Sequence, residues 1–306
     1  MLHQKWTNKQ IPDLKGKVIV VTGGNSGLGY ESVKAFAQKG AKVVLASRNA
    51  NKGKQAKKEI GKTSGKIEVM PLDLMDFDSI TAFAESFKEK YKRLDILLNN
   101  AGIMTTPYFL TKNGLEAQNG TNHFGHFALT GQLLDLLKVS PKSRVVNVSS
   151  LAHRGGTMDF DNLLFEKGKG YTPLRSYSRS KLANLLFTYE LQSRFAANQI
   201  DCIAVAAHPG VSQTNLTQNL MDKWWYALVY PVIMLTSQSQ AQGALPQIRA
   251  AVDSEVKGAE YYGPNGWGEV VGYPVRVRSN AAAHNKADAE RLWEVSEELT
   301  GVQFQF

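Results

Sequence analysis

The sequence predicts an α/β fold: a doubly wound parallel sheet with helices on both faces, three layers (α/β/α) in a single domain. Two observations carry this. Short apolar, β-branched runs alternate with stretches of helical spacing from about Lys15 to Ala251, the pattern of parallel strands joined by crossover helices. The first run, Lys17-Val-Ile-Val-Val-Thr22, is apolar almost throughout, as suits a strand buried on both faces. A chain of 306 residues, 43% hydrophobic and 21% charged, with no low-complexity tract and no internal repeat, fits one such domain with additions.

The elements follow in order. After the strand at Lys17–Thr22, Tyr30 to Gln38 places Val33, Phe36 and Ala37 on one helical side, and Gly40 closes the helix. Ala41–Ala46 is the second strand, Asn51–Ile60 a helix, and Ile67–Leu72 the third strand. Ile80, Phe83, Ala84 and Phe87 mark the third helix, and Leu94–Leu98 the fourth strand. A long helical stretch between Gly114 and Leu137 leads to a strand at Arg144–Val148. A helix at Ser176–Ala196, a strand at Ile200–Ala206 and a helix at Gln238–Ala251 complete the series. The expected organisation is an N-terminal arm (1–15), the main domain (16–265) and a C-terminal tail with a helix (266–306).

Two segments break the alternation. Residues 151–172 form a polar, glycine-containing insertion, and 212–237 hold the apolar run Trp224 to Leu235. That run is about half of the roughly 20 residues a membrane span needs. It is read as a substrate lid, with a core-packed helix, a dimer contact or shallow membrane contact as the other readings.

Charge and cysteine narrow the function classes. The formal charge is +9, and lysines cluster at Lys52, Lys54, Lys57, Lys58, Lys62 and Lys66. A solvated helix face explains most of this. Steering of a phosphorylated ligand is the second contribution. No nucleic-acid-binding signature accompanies the charge. One cysteine, Cys202, allows no internal disulfide and fits a reducing compartment. Met1 to Leu14 lack the apolar stretch of a signal peptide. A cytoplasmic location without a transmembrane segment is expected.

Ligands of such sheets bind beyond the carboxyl ends of the strands, so the residues after each strand matter most. After the first comes Thr22-Gly23-Gly24-Asn25-Ser26-Gly27-Leu28-Gly29. Here the chain must turn tightly, let backbone approach a pyrophosphate and open a helix whose free N–H groups face phosphate. Its position between strand and helix is the context that makes it a Rossmann-type dinucleotide fingerprint. The second strand ends at Ser47-Arg48-Asn49, about 20 residues on, where an acid would hold the ribose 2′-hydroxyl of NAD. The arginine suits a 2′-phosphate instead, so NADP(H) is the expected cofactor. Asp73, with Leu74 beside it, would face adenine or else cap the next turn. Asn99-Asn100-Ala101-Gly102 would let the nicotinamide ribose lie against backbone, or simply satisfy loop amides.

Ser149-Ser150 closes the fifth strand, and Tyr177 and Lys181 share a helix face four residues apart. A phenol of pKa near 10 is a poor acid-base group at neutral pH. The Lys181 ammonium is expected to lower that value, aided by an oxidised nicotinamide. Tyr177 would then move the substrate proton, and Ser150 would hold the substrate oxygen. His123, His126, His153 and His208 lack the spacing of a metal site, and none is expected.

With these residues in view, the sequence resembles the short-chain dehydrogenase/reductase family. The glycine triplet, Asn99-Asn-Ala-Gly102, Ser150, Tyr177-x3-Lys181 and Pro209-Gly210 stand in the family's order over about Lys15 to Ala251. Within it the chain is similar to the retinol dehydrogenase-like carbonyl reductases. Asn122-His-Phe-Gly-His-Phe127, Tyr177 to Phe187, the insertion before Tyr177 and Arg291 to Gly301 carry that likeness. The resemblance implies that Asn122 holds a relay water and that Ser150 rather than Ser149 is catalytic. It implies that Lys181 also bonds the nicotinamide ribose, and that Pro209, Gly210, Val211 and Thr214 line the carboxamide. It further implies an aldehyde or ketone as substrate, reduced to an alcohol or formed by the reverse reaction, and the stretch from Leu216 to Leu235, rich in Trp, Met and Leu, supports an apolar pocket for it. A homodimer or homotetramer would pair through the helices near Gly114–Leu137 and Ser176–Ala196, and a monomer follows if the insertion and tail cover them. A catalytically idle NADP-binding sensor or scaffold is the alternative. A basic protein that binds anionic surfaces is a third reading.

Overall fold

The computed structural model describes residues 5–212 and 237–306. The predicted lid core, Trp224 to Leu235, and Thr214 lie outside the described residues. β1 (Val18–Thr22), α1 (Gly27–Gln38), β2 (Lys42–Ser47), α2 (Ala50–Ile60), β3 (Lys66–Pro71), α3 (Phe77–Lys90) and β4 (Ile96–Asn99) form the first half. β5 (Ser143–Val148), α7 (Pro173–Ala197), β6 (Cys202–Ala207) and α8 (Gln240–Val252) follow the helical stretch α4 to α6 described below. The strand order is β3-β2-β1-β4-β5-β6, continued by β7 (Tyr261–Pro264) and β8 (Pro274–Val277). The winding reverses between β1 and β4, which places the ligand crevice over the end of β1.

β1 is buried along its whole length. Ile19 and Val21 face one core with Val33 and Phe36 of α1 and Ile248 of α8. Val18 and Val20 face the other with Phe83 and Phe87 of α3 and Phe127. One strand therefore serves both layers. Its alternating side chains bury about 25 cal/mol per Å² of apolar surface on each side. Cys202 is buried, and that burial pushes its thiol up to about 12, a packing residue rather than a nucleophile.

The structure corrects the element list in two places. First, the sheet continues through β7 (Tyr261–Pro264), parallel to β6, and β8 (Pro274–Val277), antiparallel to β7. These strands are four residues each and contain glycine and proline, so no periodicity marked them. α9 (Lys286–Thr300) follows and lies along α7. Its Trp293, with Phe304 and Phe306 of the terminus, packs in the core of Phe127, Phe187 and Phe195. Second, the helical stretch between Gly114 and Leu137 is broken. α4 (Ala117–Asn119), a π-turn (Gly120–Phe124), α5 (Gly125–Gln132) and α6 (Leu134–Lys138) succeed one another. Gly125 presses on the turn after β3, where a Cβ would stand 2.5 Å from the Leu74 carbonyl oxygen. Such π-turns recur at functional sites, and this one carries Asn122.

The insertion folds as short 3₁₀ turns at Leu151–Gly155, Phe160–Asn162 and Glu166–Gly168. Arg179 of α7, fully buried, holds it by donating to the carbonyls of Thr157, Asn162 and Leu163 and lying over the Phe165 ring. Among the described residues no helix is long and apolar enough to cross a membrane.

Candidate active site

A cavity of about 550 Å³ opens at the carboxyl ends of the central strands. At one end its wall is the turn after β1. Gly27 has φ +58°, a left-handed conformation open to glycine. A Cβ on Gly29 would stand 2.3 Å from the Gly23 carbonyl oxygen and 2.6 Å from Asn100 Nδ2. Ser26 precedes α1 without capping it by its side chain. The first N–H groups of α1 are thus left for an external acceptor, as a pyrophosphate requires. Gly23, Asn25, Ser26, Gly27 and Leu28 line the cavity, whereas Gly29 serves the packing of helix on turn.

Further along, Ser47, Arg48, Asp73 and Leu74 line the same wall. Ser47 Oγ lies 3.0 Å from Asn25 Oδ1, tying the β2 end to the glycine turn. Arg48 forms no salt bridge among the described residues. Among the described residues its guanidinium meets the Met75 sulfur, at 3.9 Å. Asp73 Oδ1 accepts from Met75 N at 3.0 Å, the turn-capping role. Asn100, Ala101 and Gly102 also line the cavity, and the N–H groups of Asn100 and Ala101 both donate to Thr22 Oγ1 at 2.9 Å. Asn100's side chain is consumed by Thr22 O and Gln247. What this loop offers a ligand is therefore backbone.

The other end is built from side chains. Tyr177 and Lys181 of α7 line the wall with Ser149; Ser150 stands close enough to the Tyr177 hydroxyl to act on its pKa, and its Oγ accepts from Ala152 N at 3.2 Å. Lys181 Nζ lies 5.6 Å from the Tyr177 ring centre and donates to the Val148 carbonyl at 3.0 Å. Ser149 Oγ instead donates to the Lys181 carbonyl at 2.8 Å. The paired serines thus divide their work: one fastens α7 to β5 and the other faces the phenol.

One electrostatic expectation is overturned. Lys181 was expected to lower the Tyr177 pKa. Burial instead pushes the Tyr177 hydroxyl up to about 12, against a smaller opposing pull from its hydrogen bond to Ser150. Burial also brings the Lys181 ammonium down to about 8. Both groups have lost their water, and loss of solvent disfavours whichever form is charged. At neutral pH the pair is a protonated phenol beside an ammonium.

Asn122 is fully buried. Its Oδ1 accepts from Ile103 N at 2.9 Å, and its Nδ2 donates to Ile103 O and Ser180 Oγ. The Asn122 carbonyl accepts from His126 Nδ1 at 3.0 Å, and His126 Nε2 meets Thr22 Oγ1 at 2.9 Å. Thr22's two lone pairs already take the N–H groups of Asn100 and Ala101, so its hydroxyl donates to His126. One histidine thereby ties the π-turn to the Asn100–Ala101 loop. No sequence signal beyond its presence marked His126 for this. His123 packs elsewhere, on Ser296. Of the residues after β6, Pro209 lines the cavity. Gly210 and Val211 turn instead against the segment between β7 and β8, where Val211 N donates to Val270 O at 2.8 Å.

Comparison with known proteins gives the family. The family model described as short chain dehydrogenase matches residues 17–162. Mouse retinol dehydrogenase 12 is 41% identical over 303 residues, covering 98% of this chain and 90% of that protein. Human retinol dehydrogenase 11 is 42% identical over 291 residues, covering 94% and 87%. An uncharacterized protein from Mycobacterium paratuberculosis superposes with a TM-score of 0.83 at 37% identity, covering 99% of this chain and 100% of that one.

Proposed function

We propose, from the premise that this chain belongs to the short-chain dehydrogenase/reductase family and is retinol dehydrogenase-like, that it is an NADP(H)-dependent carbonyl reductase with Tyr177 as proton donor. The family's members are oxidoreductases that bind a nicotinamide cofactor. The observation that carries the finer reading is a single cavity lined at one end by Arg48, which forms no salt bridge among the described residues, and at the other by Tyr177 and Lys181, with Ser150 beside the phenol.

The residues present fit the cofactor. The glycine turn and the uncapped start of α1 suit a pyrophosphate. Arg48 and Ser47 suit a 2′-phosphate. The backbone of Asn100 to Gly102, with Lys181, would hold the nicotinamide ribose, and Asp73 and Leu74 would flank adenine. Pro209 would bound the carboxamide side.

When bound, reduced nicotinamide would supply a hydride for the carbonyl carbon. Tyr177 gives its hydroxyl proton to the carbonyl oxygen, so that the carbonyl gains the two hydrogens of an alcohol. Its high pKa keeps that proton in place at neutral pH. Ser150 holds the oxygen by a hydrogen bond as negative charge develops. The Lys181 ammonium stabilises the phenolate left behind and returns a proton to it. Asn122 keeps the π-turn against Ile103 and holds the water of the relay. Ile103, Met104 and Phe109 on the wall suit an apolar aldehyde or ketone.

The test is oxidation of NADPH, with NADH in parallel, against aldehydes, ketones, quinones and retinal. Turnover with NADPH and little with NADH is the expected result. Tight NADPH binding with no turnover on any carbonyl would overturn the reductase in favour of an NADP-binding sensor.

A further inference from the structure

The strongest unassigned feature is a cluster where three separate segments meet on one carboxylate. Glu269 sits in a 3₁₀ turn, Trp267–Glu269, between β7 and β8. Its backbone is left-handed, φ +61°, a conformation that non-glycine residues rarely adopt. Such outliers persist where surrounding contacts hold them, and here the contacts are specific. Glu269 Oε1 pairs with Arg154 at 2.9 Å, three residues beyond Leu151 in the turn that Ser150 caps. Glu269 Oε2 meets His208 Nε2 at 3.0 Å. His208 is fully buried, and its Nδ1 accepts from Gly210 N at 3.2 Å. A ring nitrogen that accepts carries no proton, so His208 is the Nε2–H tautomer and donates to Glu269. Burial lowers the His208 pKa, in keeping with a neutral ring.

The backbone repeats the arrangement. Val211 N donates to Val270 O at 2.8 Å, and a Cβ on Gly210 would stand 2.2 Å from that same oxygen. Gln238 adds a strap: its Nε2 donates to Pro209 O at 2.7 Å and its Oε1 accepts from Gly272 N at 3.0 Å. The turn between β7 and β8 therefore grips the loop after β6 directly and the loop after β5 through Arg154.

We infer that Glu269 is a positioning residue that fixes the Ser150 loop relative to the Pro209–Val211 loop, and so the oxygen-binding serine relative to the nicotinamide. This rests on the reductase reading for its consequence, but not for its structure. Each carboxylate oxygen serves one loop, so losing the carboxylate loosens both and losing one oxygen loosens one, while the Val211–Val270 and Gln238 links remain.

The test is amide hydrogen exchange on the full chain without cofactor, joined to steady-state kinetics. Glu269→Ala is expected to speed exchange at least tenfold in both 151–156 and 210–211, while 28–33 in α1 exchanges as before. Glu269→Gln keeps one acceptor oxygen and is expected to loosen only one of the two loops. Arg154→Gln, at a half-exposed side chain, is expected to loosen 151–156 alone, and it serves if Glu269→Ala does not fold. In turnover, Glu269→Ala is expected to lower kcat about tenfold, with KM for NADPH within threefold, because the adenine end is untouched. Wild-type exchange in either loop of Glu269→Ala, or in 151–156 of Arg154→Gln, would overturn the clamp. Because exchange is read without cofactor, an enzyme that ignores NADPH sinks the reductase reading and leaves the clamp to be judged by exchange alone.

Discussion

The two ends of the cavity are built on opposite plans. At the dinucleotide end the wall is backbone: the Gly23–Gly29 turn, the open start of α1, and a 100–102 loop whose asparagine side chain is spent on the fold. At the reacting end the wall is side chains. Lys181 is fastened to the Val148 carbonyl, Ser150 caps the turn at Ala152, and His126 ties the neighbouring π-turn to the 100–102 loop. A backbone site must bind what every member of a cofactor class shares, and it imposes strict local rules on sequence. A side-chain site can be tuned, but its supports lie far apart in the chain.

This difference can be broken at either end. The largest expected effect is at the side-chain end. Tyr177→Phe removes the proposed proton donor and keeps the ring, and turnover should fall by about 10²–10⁴-fold while NADPH affinity, read by fluorescence titration, stays within a few-fold. Next is Arg48→Ala, which removes charge-assisted hydrogen bonds of about 1.5–3 kcal/mol. The NADPH dissociation constant should rise roughly 10- to 100-fold, with that for NADH unchanged. An equal effect on both cofactors would remove Arg48 from the 2′-phosphate.

A pH profile comes third. The reducing form of the pair has Tyr177 protonated and Lys181 charged. With Tyr177 near 12 and Lys181 near 8, the lysine is charged below about 8 and loses its proton as pH rises through that value. Reductive kcat/KM should therefore be level toward neutral pH and fall above about pH 8, by about tenfold at pH 9. A profile flat to pH 10 would mean that the Lys181 charge is not needed. The smallest effect tests the backbone end. Gly29→Ala forces a Cβ against the Gly23 carbonyl, and thermal unfolding should show a loss of about 1–3 kcal/mol together with weaker NADPH binding.

The same contrast explains what could be read from the sequence. The strands β1 to β6 were legible because each buried strand needs an apolar run. The glycine turn was legible because close backbone approach leaves no room for a Cβ. Tyr177 and Lys181 share a helix face, so their spacing placed them together. The strands β7 and β8 were not legible, being four-residue pieces with glycine and proline. The break in the helix at Gly120–Phe124 was hidden because a π-turn uses the same residues as an α-helix. The Tyr177 pKa was misjudged because burial, not the nearest charge, dominates it. Arg179, His126 and Glu269 were missed as supports since their partners lie far off in sequence, as with Arg154 and Glu269. A charged residue or histidine in a sequence carries no mark of such a pairing.

The most direct test of the central claim is a single-turnover experiment. The NADPH complex, formed first, is mixed with an apolar aldehyde, and loss of the reduced-nicotinamide absorbance is followed for the wild type and Tyr177→Phe. The account predicts rapid loss in the wild type and NADPH that stays bound but unoxidised in Tyr177→Phe. Loss at the same rate in both proteins would contradict it, because the proton would then come from somewhere other than Tyr177.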